Sequence, residues 1–184
     1  MNSFKPLLKV NSNKTFIQSI VDKLNQVCVE VIIVTGFKSK EIENNLFEIE
    51  NKEKIKFVFN SNYKSGMFTS LRTGLTESNT KWNLYHFIDQ PGLAHNFYTD
   101  FIKQIDDEFN WIQPTYNKRK GHPILFDTQI KELILRSNDN TTLRDVSMYK
   151  SIKKKFWECD TELIFQDIDT LNDFEQLKNS HEQT

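Results

Sequence analysis

Apolar residues recur along the chain first at helical spacing and then at strand spacing, and the alternation repeats. After Thr15, the residues Phe16, Ile17, Ile20, Val21 and Leu24 share one helical face, and the β-branched run from Val29 to Val34 then ends at Thr35-Gly36. Ile42, Leu46 and Ile49 predict a helix after Ser39, Ile55 to Phe59 a strand, Met67 to Leu75 a helix, and Leu84 to Ile88 another strand. The second half predicts a helix over Phe97 to Phe109, strands at Trp111 to Gln113 and Pro123 to Phe126, and helices at Ile130 to Leu135 and Leu143 to Tyr149. A short strand at Leu163 to Phe165 and a helix from Leu171 to Leu177, capped by Asp169 or Thr170, follow. Such alternation predicts a three-layer α/β fold around a mainly parallel sheet.

Composition narrows this picture. A chain of 184 residues with 5 glycines, 4 prolines, no repeat and no linker reads as a single domain, 1–184. Lys and Arg total 24 against 25 Asp and Glu, so no global field favours a nucleic-acid backbone. No apolar run approaches the roughly 18 residues of a spanning helix, and the first residues lack a signal-like apolar core, so the expected location is cytoplasmic, off the membrane. Cys28 and Cys159 are far apart and outside any zinc-ligand spacing, so neither a disulfide framework nor a zinc site is expected.

Open α/β sheets bind ligands beyond the carboxyl ends of their strands, which directs attention to the polar residues there. Asp89 follows an apolar strand and precedes Gln90-Pro91; its carboxylate suits a metal ion, or simply forms the turn. Asp167 and Asp169, at i and i+2, place two carboxylates on one face of an extended segment, able to join Asp89 on a divalent ion or to cap the last helix. Gly66, Met67 and Ser70 begin a helix after Asn60, a hydroxyl-rich terminus that suits an anionic ligand or merely starts a helix. The stretch Asn117 to Pro123 puts three cations and His122 on a loop, fit for phosphate recognition or for solvent. Lys150 to Lys155 reads as an exposed helix face or loop without a role.

Taken in order, K-P-L-L from Lys5, V-T-G at Val34, N-S-N-Y-K-S-G-M-F-T-S-L-R-T-G-L from Asn60, D-Q-P at Asp89, G-H-P at Gly121 and D-I-D-T-x-x-D at Asp167 resemble one family. It is the MobA-like nucleotidyltransferases, in their molybdenum cofactor cytidylyltransferase branch. The resemblance implies a three-layer Rossmann-like fold of the nucleotide-diphospho-sugar transferase type. It also implies a reaction in which CMP moves from CTP to molybdopterin cofactor with Mg2+ and pyrophosphate leaves. Asp89 would ligate magnesium with Asp169 and Asp167, and Lys5 would neutralise triphosphate charge, making Lys5 and Asp89 the catalytic pair. Asn60, Gly66, Met67 and Ser70 would hold the nucleotide, while Gly121 and His122 would face the acceptor. The implied partners are CTP or another NTP, molybdopterin cofactor, and a molybdoenzyme or its maturation factor. Transfer to a sugar phosphate by the same fold is the alternative acceptor chemistry.

The sequence departs from that family at its start. Family members open with a strand and a loop of the form L-A-A-G-x-S-x-R-M-G-x-x-K, whereas here Met1 falls at the family Met, Asn2 replaces the Gly and Lys5 falls at the Lys. The chain is therefore expected to be N-terminally truncated relative to the family. The absent strand would be central, and burying about five apolar side chains there would contribute roughly 8 to 15 kcal/mol. An exposed edge or groove in mid-sheet is expected, to be filled by another segment or covered by a partner. Two expectations follow, either a reading frame that begins upstream or a catalytically impaired chain that binds cofactor or partner in molybdoenzyme maturation.

Overall fold

The computed structural model describes residues 4–11, 13–47, 49–138 and 140–181. Met1 and Asn2 lie outside them. Helix α1 (Phe16–Val27) starts where the Thr15 hydroxyl accepts from the Gln18 N–H and the Gln18 carboxamide accepts from the Thr15 N–H, a reciprocal cap that satisfies two otherwise free donors. Then come β1 (Val31–Thr35), α2 (Ser39–Asn45), β2 (Ile55–Phe59), α3 (Met67–Glu77), β3 (Trp82–Tyr85) and α4 (His95–Ile102). The second half holds β4 (Trp111–Tyr116), β5 (Arg119–Lys120), β6 (Ile124–Asp127), α5 (Thr128–Arg136), α6 (Leu143–Ser147), β7 (Lys154–Glu158) and α7 (Leu171–His181). No helix among the described residues is long and apolar enough to cross a membrane.

Several segments differ from the pattern reading: the strand expected from Leu84 to Ile88 lies at Trp82–Tyr85, and Arg119–Lys120 in the expected cationic loop form β5 against β4. Leu163 to Phe165 lies in a 3-10 turn, Glu162–Phe165, because the Thr161 hydroxyl accepts from the Leu163 N–H and offers the backbone a local alternative to a ladder. Lys154 and Lys155 open strand β7, which pairs in parallel with β4; its lysines mark a sheet edge. Helix α4 stops at Ile102, short of Phe109, where Asp106 accepts from the Glu108 N–H in a separate turn. The last helix is capped by Thr170, whose hydroxyl accepts from the Asp173 N–H, while Asp169 turns to Lys5.

The strands form two sheets. β1 and β2 pair in parallel from Val31 opposite Ile55 to Thr35 opposite Phe59. The other sheet runs β3-β6-β4, with β5 and β7 also on β4. Both β3 and β4 are antiparallel to β6, and β7 is parallel to β4, so β3, β4 and β7 run one way and β6 is reversed between them. Among the described residues no ladder joins β1 to β3, and the division between the two sheets falls there.

Helices cross that division on both faces. On one side α1 packs against β1 and α4, and on the other α3 packs against β1, β2 and α5, which in turn covers β3 and β6. Alternation along β6 feeds both layers: Leu125 joins the cluster of Ile17, Ile20, Phe97, Tyr98 and Phe101, whereas Ile124 and Phe126 join Leu71, Leu75, Ile130 and Ile134. The result is a three-layer α/β sandwich with its strand-end loops gathered beside the division.

Candidate functional site

Asp89 sits in a turn four residues beyond Tyr85, the last residue of β3, rather than directly on the strand. Two contacts tie this turn to the Asp167 segment. The Ile168 N–H donates to the Asp89 carbonyl at 2.9 Å, and the Gln90 carboxamide, 2% exposed, donates to Asp167 Oδ1 at 2.8 Å. A third contact braces it from below, where the Lys23 ammonium on α1 donates to the Pro91 carbonyl at 2.8 Å. Burial pulls the Lys23 pKa down to about 8.

Asp89 is electrostatically uncomfortable in this position. Its Oδ1 is buried with no hydrogen-bond partner, and burial pushes its pKa up, with the Asp167 carboxylate pushing further. A buried acceptor left unpaired costs free energy, and two carboxylates close together repel. A cation held between Asp89 and Asp167 would answer both, so these residues fit a divalent metal. Asp169 is exposed and ion-paired with Lys5, and among the described residues no three His, Cys, Asp or Glu side chains are grouped as a ready-made metal cluster.

His122 belongs to the same neighbourhood. Its ring lies 4.5 Å from the Phe87 ring, and its backbone N–H donates to the Ile164 carbonyl, so the G-H-P loop stands beside the Asp89 turn. Burial lowers the His122 pKa and Asp167 raises it, leaving it below the ordinary value. Gly121 is held so close to Ile164 that a Cβ there would meet the Ile164 Cβ at 2.6 Å, a contact only glycine permits.

The Asn60 group forms a second cluster at the ends of β2 and α3. The buried Asn60 carboxamide donates to the Thr69 and Ser70 hydroxyls, each at 3.0 Å, while its oxygen accepts from the Asn62 N–H. Gly66, with φ at 107°, turns the chain into α3 and provides no side-chain cap, so the first amides of that helix keep their capacity for an anion. Met67 and Phe59 are exposed beside it, as is Phe37 in the loop after β1. Phe4 meets Phe37 edge-on at 5.9 Å with the Lys38 ammonium over both rings. Lys5, next in the chain, links this edge to Asp169.

The structure thus brings together Asp89, Asp167 and His122, sets Lys5 with Asp169 alongside, and keeps Asn60, Gly66, Met67 and Ser70 in their own cluster. Gln90, Lys23 and Phe37 were not singled out from the sequence. The D-Q-P signature contains Gln90, but its partner lies 77 residues away. Two surface depressions of about 380 and 320 Å3, against α1 and α2, share no residue with either cluster.

Comparison with known proteins gives this arrangement a context. A family model described as MobA-like NTP transferase domain matches residues 1–154. The chain is 23% identical over 167 residues to a molybdenum cofactor cytidylyltransferase of Escherichia coli K12, covering 91% of this chain and 83% of that protein. It is 27% identical over 128 residues to a probable molybdenum cofactor guanylyltransferase of Bacillus cytotoxicus, spanning 68% of this chain and only 61% of that relative. Among solved structures, the manganese complex of Rv0371c from Mycobacterium tuberculosis superposes with a TM-score of 0.77 at 17% identity, over 97% of this chain and 93% of that one.

Proposed function

The chain belongs to the MobA-like NTP transferase family of nucleotidyltransferases, and from that premise we propose that it moves CMP from CTP to a phosphate of molybdopterin cofactor, with Mg2+ as the divalent ion. The observation that carries this reading is the buried, unpartnered Asp89 Oδ1 beside Asp167 at the carboxyl end of the sheet. The choice of CTP is supported by the cytidylyltransferase likeness, which spans more of both chains than the guanylyltransferase likeness does.

The chemistry asks little of a protein nucleophile. An oxygen of the acceptor phosphate attacks the α-phosphorus of the nucleotide, the bond from that phosphorus to the β-phosphate oxygen breaks, and pyrophosphate leaves with the electron pair. Asp89 and Asp167 would hold the metal, with Asp169 reaching it once Lys5 exchanges its carboxylate for triphosphate oxygens. A divalent ion in that place supplies charge neutralisation to the phosphates. Asn60, Ser70 and the Gly66-Met67 turn would hold base and ribose, and the Gly121-His122 loop would face the pterin.

The test is calorimetric titration with CTP and with GTP, each with and without Mg2+, followed by an assay of pyrophosphate release with molybdopterin as acceptor. Magnesium-dependent binding of CTP in preference to GTP, and turnover that falls at least a hundredfold in Asp89→Asn while that variant stays folded, are the expected results. Turnover with a sugar 1-phosphate and none with molybdopterin would overturn the acceptor. A folded chain that binds no nucleotide would overturn the enzyme reading.

A further inference from the structure

We propose that Gln90 is a positioning residue for the divalent ion: its buried carboxamide holds the Asp167 carboxylate in place for the ion without cancelling that carboxylate's charge. The proposal rests on the divalent-ion part of the functional reading and on no choice of nucleotide or acceptor.

Glutamine is mostly an exposed residue, yet Gln90 is 2% exposed, on the turn between Asp89 and Pro91. A buried carboxamide has a donor end and an acceptor end to satisfy. The donor end is spent on Asp167, with Nε2 donating to Oδ1 at 2.8 Å across 77 residues of chain. An ionised carboxylate only accepts, so the amide has one workable orientation, nitrogen toward Asp167 and oxygen away from it. The oxygen turned away is buried and has no partner. The residue before it is in the same condition, since Asp89 Oδ1 is also a buried acceptor without a partner. Two consecutive side chains thus offer unanswered acceptors beside Asp167. A hydrated cation answers both, because magnesium binds through one or two carboxylates and keeps several waters that can donate.

The neutrality of the donor matters. Asp169 is held by the Lys5 ammonium, which offsets its charge. Gln90 fixes Asp167 through a neutral group, so the full negative charge and the second carboxylate oxygen stay available to a cation. The turn that carries Gln90 is itself braced, by the Ile168 N–H on the Asp89 carbonyl and by the Lys23 ammonium on the Pro91 carbonyl. On the far side of Pro91, a Cβ added to Gly92 would come within 2.9 Å of Gln166 Oε1, so the two segments are pressed together on either side of the Gln90 bond. One short turn therefore supplies one carboxylate, Asp89, and orients the other. Removing a hydrogen bond that orients a metal ligand typically costs about 10- to 100-fold in metal affinity.

The test is Mn2+ binding to the 184-residue chain, followed by EPR of the free ion, with Tm measured alongside. The parent chain should bind Mn2+ that Mg2+ displaces. Gln90→Met, of similar length but apolar, and Gln90→Asn, the same amide one methylene short, should each weaken Mn2+ binding at least tenfold while Tm stays nearly unchanged. Lys23→Met loosens the same turn without touching Asp167, and should lower Tm while keeping Mn2+ affinity within about threefold of the parent. A parent chain that binds no Mn2+ would overturn the divalent-ion reading and the proposal with it. A parent that binds, with both Gln90 variants binding as tightly, would overturn the proposal alone. So would a loss in Lys23→Met equal to that in Gln90→Met, since any loosening of the turn would then suffice. Affinity lost only together with a collapse of Tm in both Gln90 variants would make Gln90 a packing residue and overturn it as well.

Discussion

Strands β6 and β3 are neighbours of four residues each in one sheet, under the same helical layers, yet they differ in burial. All four residues of β6 are buried, and it is paired on both sides, by β3 and by β4. None of the four residues of β3 is fully buried, and it is paired on one side. Strand β1, across the division, repeats the pattern, with its three middle residues only partly buried. Helices above and below therefore do not suffice to bury a strand; an in-plane neighbour on each side completes the job. This matters for chemistry, because Thr35-Gly36 and the Asp89 turn lead out from the two half-paired strands.

The comparison can be broken most directly by truncating one side chain in each strand. Phe126→Ala in β6 is expected to cost about 3–5 kcal/mol, because a fully enclosed ring leaves a cavity that rigid neighbours cannot fill. Leu84→Ala in β3 should cost about 2 kcal/mol or less, since its site is open to water and free to relax. Urea unfolding of both variants decides it, and equal losses would mean the division is packed after all.

Acid should load the β3 side selectively. His86 follows β3 directly; its Nδ1–H donates to the Phe87 carbonyl at 2.7 Å and its Nε2 accepts from the Tyr98 hydroxyl at 2.8 Å. Burial pulls its pKa down to about 4, opposed by the Phe87 bond and assisted by Lys23 and His122. A folded-state value below the unfolded 6.5 means the unfolded chain binds the proton first. Stability is thus intact above about pH 6.5 and declines as pH falls toward 4, by roughly 3 kcal/mol from this group. Urea unfolding at pH 7 and pH 4 should show that loss reduced by the same amount in His86→Gln, whose side chain does not titrate; an unchanged pH slope would place the titration elsewhere.

The contrast also explains what the sequence disclosed. Helix and strand periodicity located β2 to the residue, and the strand-end rule pointed to Asp89, whereas Asn60 and His122 were marked by a helix start and a loop before a strand and given roles only by the family resemblance. These are local signals, carried by neighbours in the chain. Strand β7 was hidden because its lysines answer to an edge, and edge status is a property of the sheet, not of the segment. Gln90 was hidden because its value lies in reaching Asp167, and Lys23 because a lysine on an amphipathic helix looks solvated until its hydrogen bond to the Pro91 carbonyl is seen. The unpaired edge between β1 and β3 was legible only through the family likeness, since nothing within either strand's own residues records which neighbour it has.

Glycines placed against each region give the finest discrimination. Gly121 backs onto Ile164, where a new Cβ would strike side chain and backbone alike at 2.6 Å in the well-paired half. Gly121→Ala should therefore cost about 1–3 kcal/mol through overpacking. Gly74, within α3, would place its Cβ 2.8 Å from Val34 Cγ2, a methyl on the half-paired strand β1. That strand has freedom to yield toward the division, and alanine gains about 1 kcal/mol over glycine inside a helix. The two effects nearly cancel, so Gly74→Ala should leave the urea midpoint almost unchanged. A Gly74→Ala variant as costly as Gly121→Ala would show β1 to be as rigid as β6.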